Sequence, residues 1–321
     1  MMYSRIVGTG SHLPARVLTN ADLEKMVDTT DEWIRDRTGI ERRHIAAPGE
    51  TTVDLAEPAA RRALEMANMR PEDVDFIAFG TTTPDLVFPN CGVLLQQRLG
   101  ARGGPAFSLE TACSSFMYAL SIADKFVRAG ESKCALVVGA ETLSRITDWK
   151  DRTTCVLFAD GAGAVVLRPS EEPGILSTHL HADGTYKDLL ACKSGVSRGF
   201  GEVEPKMAIS MVGSEVFRIA VTKLGQAVDE ALAANGLTKS SIDWLVPHQA
   251  NIRIIQATAR KLDMSMEKVI CTVAQHGNTS AASVPLALDV GVRDGRIKPG
   301  QLLVLEAFGG GFTWGSSLIR L

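Results

Sequence analysis

The feature that most constrains the fold is a repeat. Ala63–Ile77 (ALEMANMRPEDVDFI) and Ala231–Leu245 (ALAANGLTKSSIDWL) align without a gap at an offset of 168 positions. Each reads as a helix end, a turn and a buried strand entered through Val-Asp or Ile-Asp. The order of elements around the two copies also matches. VDFIAFG, PAFSLE, CALVVGA and AGAVVLR are short apolar runs with strand character. TVDLAEPAARRALEMANM, CGVLLQQRLG and SSFMYALSIADKFVRAG are amphipathic segments between them. In the last of these Phe116, Leu120, Ala123 and Val127 share one face, and Gly130 stops the helix. The second half repeats the theme: GSEVFRIAVTKLGQAVDEALAANG is a helix, IDWLVPH a strand, NIRIIQATARKL a helix and VICTVA a strand. SAASVPLALDVGVRDG is then a helix, and LLVLEAF and SSLIRL are closing strands. Alternating strands and helices predict an α/β chain of two duplicated halves. The polar, turn-rich link PSEEPG divides it into 1–170 and 171–321.

Composition excludes several classes. The 321 residues are 45% hydrophobic and 22% charged with a net charge of −3, which gives no global case for nucleic-acid binding. The six cysteines form no CxxC pair, so no zinc site is expected, and they are too sparse for a disulfide scaffold. A reducing compartment follows. MMYSRIVGTGSHLP lacks the apolar region of a signal peptide, and runs such as CALVVGA are too short to span a membrane. The expected location is cytoplasmic.

Ligands of open α/β sheets bind at the carboxyl ends of strands. Three stretches end strands there: LETAC with Cys113, WLVPHQAN with His248, and TVAQHGNTSAAS with Asn278. Cys113 sits between an apolar run and a helix start. There, helix amides and dipole are expected to lower its thiol pKa. Each residue also has a plainer reading: Cys113 as an inert buried cysteine, His248 as structural and Asn278 as a helix cap. His276 lies close to Asn278 and stays open. Together Cys, His and Asn form a nucleophile, base and orienter set. AFGGGFTWG places three glycines after a strand, which suits either a tight hairpin or a backbone amide facing an oxyanion. WIRDRTGIERRH gathers Trp33, Arg35, Arg37, Arg42 and Arg43, an aromatic face with guanidinium groups suited to a nucleotide phosphate. NIRIIQATARKL puts Arg253, Arg260 and Lys261 on one helix face that suits an acidic partner. Solvated surface is the plainer reading of both clusters.

TACSSF, VPHQANIRI, GNTSAASVP and EAFGGGFTWG, in this order, resemble the motifs of β-ketoacyl-acyl carrier protein synthase III, a thiolase-superfamily family, over essentially the whole chain. The resemblance implies a thiolase-like five-layered αβαβα fold, a homodimer, and no cofactor, with acyl-CoA as substrate. It implies that Cys113 takes an acyl group from acyl-CoA. His248 and Asn278 then stabilise the enolate formed when malonyl-acyl carrier protein loses CO2, and the enolate attacks the Cys113 thioester. It assigns an oxyanion hole to the amides of Cys113 and Gly310, CoA contacts to Thr29, Trp33, Arg37 and Arg152, and carrier-protein contacts to Gln249, Ala250, Asn251, Ile252 and Arg253. It makes Phe88 an acyl-pocket residue supplied across the dimer, which suggests a short starter such as acetyl. A thiolase would carry a second cysteine where Phe308 stands, and an elongating ketosynthase a second histidine where Asn278 stands. Type III polyketide synthases share Cys, His and Asn, but the basic carrier-docking face argues against them. Two other classes remain to compare: a cysteine hydrolase, although the papain-type CGSCW signature is absent, and a non-catalytic acyl-binding protein, against which the retained Cys113 speaks.

Overall fold

Strands written as unbroken apolar runs are strands buried on both faces, and here they form two sheets covered by helices. The computed structural model describes residues 2–101, 103–199 and 207–321. The first half runs β1 (Tyr3–His12), β2 (Arg16–Thr19), α1 (Asn20–Leu23), α2 (Asp31–Thr38), β3 (Arg42–Ile45) and α3 (Thr52–Met66). It continues through β4 (Phe76–Gly80), α4 (Cys91–Leu99), β5 (Ala106–Leu109), α5 (Ser115–Arg128), β6 (Ala135–Thr142) and β7 (Asp160–Ser170). The second half runs β8 (Ile175–Ala182), β9 (Leu190–Cys192), β10 (Ile209–Met211), α6 (Gly213–Ala234) and β11 (Trp244–Pro247). It ends with α7 (Ile252–Lys261), α8 (Val273–His276), α9 (Ser283–Arg293), β12 (Leu302–Gly309) and β13 (Thr313–Arg320).

The larger sheet has the order β1-β7-β6-β4-β5, and the second has β8-β13-β12-β11. Read from β1 or from β8, both show two antiparallel pairings followed by a parallel one. The parallel partner of β4 is β5. Its counterpart beside β11 shrinks to one parallel bridge, Leu245 to Val269. The strand expected over VICTVA is therefore that single bridge, and Val273–His276 turns into the short helix α8. The repeat reaches fine detail. The 3-10 turns Pro71–Asp73 and Lys239–Ser241 stand 168 positions apart. So do two non-glycine residues in the left-handed region, Ala112 at φ 47° and Ser280 at φ 48°.

Alternation along the strands sorts their side chains into layers. Ile77 and Phe79 of β4 face outward to Ala56, Ala59 and Ala63 of α3 and Leu95 of α4. Ala78 faces inward to Phe116 and Leu120 of α5, in a core shared with Leu303 and Leu305 of β12 and Val284 and Leu288 of α9. Val304 of β12 faces the other way, toward Val228 of α6 and Ile255 of α7. The layers are α3/α4, sheet, α5/α9, sheet, α6/α7: the five-layered thiolase-like αβαβα fold. Two glycines let the halves meet. A Cβ on Gly139 of β6 would lie 2.2 Å from the Ala281 carbonyl oxygen. One on Gly309 would lie 2.7 Å from the Cys113 amide nitrogen. No side chain fits at either point.

Candidate active site

Cys113 sits in the 3-10 turn Ala112–Ser114 that leads directly into α5. Two serines tie the turn down. Ser115 Oγ donates to the Ala112 carbonyl and accepts from the Thr111 amide, both at 2.8 Å. Ser114 Oγ lies 2.7 Å from the Thr111 carbonyl and 2.8 Å from Thr313 Oγ1. The glycine turn closes over this elbow through Thr313 Oγ1, which also donates to the Thr111 carbonyl at 2.9 Å. The three glycines make the hairpin between β12 and β13, with Gly309 against the Cys113 amide and Gly310 next in the turn.

His248 follows β11 and extends its pairing, because its amide donates to the Glu306 carbonyl at 2.8 Å. Asn278 is held by the first half: its amide donates to Leu157, and its carbonyl accepts from Ala159, both at 2.9 Å. Cys113, His248 and Asn278 are almost fully buried and line one cavity of about 580 Å³.

The polar atoms around the site fix which way each donor points. The Gln249 backbone amide donates to Ser283 Oγ at 3.3 Å, and His248 Nδ1, 2.5 Å away, is the acceptor that the Ser283 proton reaches among the described residues. On that ground Nδ1 is assigned as the acceptor and the ring proton to Nε2. Burial lowers the His248 pKa to about 4, so the ring is neutral near pH 7. Asn278 Oδ1 accepts the Ser280 amide at 2.9 Å, which leaves Nδ2 as the amide's donor end. The site thus holds two neutral donors. Ser280 and Ser283 were legible only as a polar helix start.

The thiol departs from expectation. Burial pushes the Cys113 pKa up to about 12; a Ser280 hydrogen bond works against the shift and the buried Glu141 adds to it. Desolvation in the interior outweighs the helix start, so the resting group is a thiol.

The other expected contacts divide. Trp33, Arg37 and Arg152 line the cavity, with the Arg152 guanidinium 4.7 Å and that of Arg37 5.8 Å from the Trp33 ring centre. Arg152 is anchored on the Asp28 carbonyl at 2.7 Å. Thr29, next to Asp28, does not line the cavity, and its buried hydroxyl has no partner among the described residues. Arg43 leaves the basic cluster. It is fully buried and donates to Leu18, Asn20 and Val156, so it braces the fold. Arg35 is paired with Asp31 and Glu41.

Ala250, Asn251 and Arg253 line the cavity, and Arg253 is exposed. Asn251 caps α7 and also donates to the Arg37 carbonyl at 2.9 Å. Ile252 is half-buried against Gly39. Gln249 corrects the carrier-protein assignment. It is fully buried, with its amide donating to Pro247 and Ile270 and accepting from Thr272 and Val273. A side chain so engaged cannot meet a docking protein. Phe88 lies outside the cavity and is 83% exposed, beside Leu86 and Val87. His276 ends α8 outside the cavity wall, its pKa lowered to about 4 by burial and, to a lesser degree, by His44. Among the described residues no group of His, Cys, Asp and Glu could hold a metal ion, and no helix is long and apolar enough to cross a membrane.

Residues 107–184 match the family described as 3-oxoacyl-[acyl-carrier-protein (ACP)] synthase III, and residues 232–321 match its C-terminal region. The chain is 64% identical to the beta-ketoacyl-[acyl-carrier-protein] synthase III of Thioalkalivibrio sulfidiphilus over the full length of both. It is 64% identical to that of Xylella fastidiosa, over 99% of this chain and 98% of the relative. Among solved structures it is similar to the 3-oxoacyl-[acyl-carrier-protein] synthase III of Aquifex aeolicus, with 46% identity, a TM-score of 0.94, and 99% of this chain and 100% of that one covered. The priming β-ketosynthase of the R1128 polyketide pathway gives 38% identity and a TM-score of 0.95, over 99% and 96% of the two chains.

Proposed function

The chain belongs to the 3-oxoacyl-[acyl-carrier-protein] synthase III family, and from that premise we propose how its own residues divide the reaction. The activity is that of a β-ketoacyl-acyl carrier protein synthase III. A short acyl-CoA starter condenses with malonyl-acyl carrier protein through an acyl-cysteine, with loss of CO2, and begins a fatty acid chain.

In our reading Cys113 Sγ attacks the thioester carbonyl and CoA leaves. The amides of Cys113 and Gly310 receive the transient oxyanion. Malonyl-carrier protein then replaces CoA, and CO2 loss puts negative charge on the thioester oxygen. His248 Nε2–H and Asn278 Nδ2–H meet that oxygen. Both are neutral, so they stabilise the enolate without protonating its carbon. The carbanion attacks the Cys113 thioester and releases the β-ketoacyl carrier protein. The observation that carries this reading is the orientation of the two donors. Ser283 and the Ser280 amide occupy the other ends of His248 and Asn278.

Acyl-CoA is a substrate here, and the reaction needs no cofactor. Trp33, Arg37 and Arg152 bind the nucleotide end, with Arg152 swinging off the Trp33 ring to admit adenine and Thr29 beside it. Arg253, with Ala250, Asn251 and Ile252 around it, meets the acidic carrier protein. The exposed Leu86–Phe88 loop is an apolar surface that a second copy would cover, placing Phe88 in that copy's acyl pocket in a homodimer. The halves divide at 170/171, and the enzyme works in the cytoplasm without nucleic acid or membrane.

Intact mass after incubation with acetyl-CoA alone, followed by malonyl-carrier protein, tests the assignment. One stable acyl group on wild type, none on Cys113→Ala, and conversion to acetoacetyl-carrier protein are expected. Acylation of Cys113→Ala overturns the nucleophile. Rapid turnover of acetyl-CoA to acetate without a malonyl donor makes the protein a hydrolase.

A further inference from the structure

Cys113 must lose a proton to attack, yet its thiol is the resting form, and the His248 tautomer assigned above has no free lone pair to take the proton. His248 Nδ1 is occupied by Ser283, and Nε2 carries the ring proton. The hydroxyl of Ser280 offers another route. It donates to Glu141 Oε1 at 3.1 Å, and the Ser280–Ala282 turn packs against the Ala112–Ser114 turn that carries Cys113, near enough for both Ser280 and Glu141 to act on the thiol. Glu141 is the last residue but one of β6, two positions after Gly139, where the Ser280–Ala282 turn presses on the strand, and it is fully buried.

We propose that Ser280 and Glu141 form a proton relay for Cys113, taking its proton during acylation and returning it during condensation. This rests on the reading of Cys113 as the acyl acceptor. In acylation the Cys113 S–H proton moves to Ser280 Oγ as the Ser280 proton moves to Glu141. The Sγ–carbonyl bond forms, the carbonyl–CoA sulfur bond breaks, and the CoA thiolate takes a proton from solvent. In condensation the carbon–carbon bond forms and the carbonyl–Sγ bond breaks. The Cys113 thiolate then recovers the proton from Glu141 through Ser280. One solvent proton is consumed per cycle, which balances the malonyl carboxylate lost as CO2.

The surroundings of Glu141 suit this exchange. Thr82 donates from its amide, and Thr81, Thr82 and Thr83 donate from their hydroxyls, so the carboxylate is satisfied without a cation. The titratable groups facing it are Cys113 and Cys91, each sensing its charge. Burial raises its pKa to about 7, the range in which a group both accepts and returns a proton at neutral pH. Ser280 is fixed in the left-handed region, and its amide holds Asn278, so its hydroxyl has little freedom to leave the line.

The test is the pH profile of single-turnover acylation by acetyl-CoA, read by intact mass, with the adduct mapped by peptide mass. Wild type should rise through an inflection near pH 7. Glu141→Gln should acylate about 100-fold more slowly at pH 7.5, at the low end of general-base effects, and lose the inflection. Ser280→Ala, which leaves the threonine donors in place, should do the same, and Glu141→Asp should regain part of the rate with an inflection. Both variants keeping the inflection, or differing from wild type by one factor at every pH, overturns the relay. If Glu141→Gln does not fold, the Ser280→Ala profile decides alone. An adduct that maps away from Cys113 instead overturns the nucleophile assignment and leaves a distinct signature.

Discussion

Ser283→Ala probes the claim that a hydroxyl outside the reacting atoms sets the proton on His248. Ser283 donates to Nδ1 at 2.5 Å and accepts the Gln249 amide at 3.3 Å. Removing it leaves a buried acceptor without its donor, which costs about 1–3 kcal/mol of stability. The Gln249 contact is long, so a loss of about 1–2 kcal/mol is expected. The kinetic effect has a ceiling: losing one oxyanion donor outright costs about 2.7–4 kcal/mol, or about 10²–10³-fold. His248 stays in Ser283→Ala, but its ring can then carry the proton on either nitrogen and turn in its seat. About a tenfold loss follows, or about 1.4 kcal/mol. The assay preforms the acetyl-enzyme, adds malonyl-carrier protein and follows CO2 release. Acylation should change less than twofold. A double-mutant cycle makes the result decisive. In a His248→Ala background the Ser283 substitution should have no further effect on CO2 release. The same tenfold loss in both backgrounds would refute the argument that Ser283 acts through His248.

Three further outcomes follow from the geometry. Gly309→Ala places a methyl 2.7 Å from the Cys113 amide and 2.8 Å from the Thr111 carbonyl, so the elbow must move; acylation should fall at least tenfold while the fold, read by circular dichroism, survives. Arg253→Glu should raise KM for malonyl-carrier protein severalfold and leave KM for acyl-CoA nearly unchanged, measured by steady-state kinetics. His248 and His276 are both held near 4 against an ordinary value of 6.5, so the unfolded chain takes up their protons first. The stability they contribute is full above about pH 6.5 and is lost as pH falls toward 4. His276→Gln should therefore flatten the acid side of a plot of urea midpoint against pH, while an unchanged slope would contradict its buried neutral state.

The helices were readable because their burial is periodic, and the central strands because burial on both faces leaves a short unbroken apolar run. Phe116, Leu120 and Val127 mark the inner face of α5 by spacing alone. The repeat was legible for the same reason, since two copies of one arrangement need the same apolar positions. VICTVA misled because an apolar run fits several kinds of buried segment, and only its neighbours reduced it to one bridge beside β11. Arg43 and Gln249 misled in the opposite sense. The sequence sets Arg43 in a basic cluster and the resemblance assigns Gln249 to carrier-protein contacts, but the chain buries both. Gln249 is satisfied by backbone groups, and Arg43 bonds to two carbonyls and Asn20 with its Nε left unpartnered among the described residues.

What the sequence determined by itself was the set of chemical parts and the duplicated plan that brings strand ends together, because periodicity and residue type are local properties. What only the tertiary structure decided was protonation and aim. Whether Cys113 rests as a thiol and which nitrogen of His248 carries the proton depend on residues distant in the chain, and the local Asn278–Ser280 turn takes its place in the cavity only through the Leu157 and Ala159 backbone that holds it. Desolvation and hydrogen-bond direction arise from what packs around a group, and no single stretch of the chain contains that information.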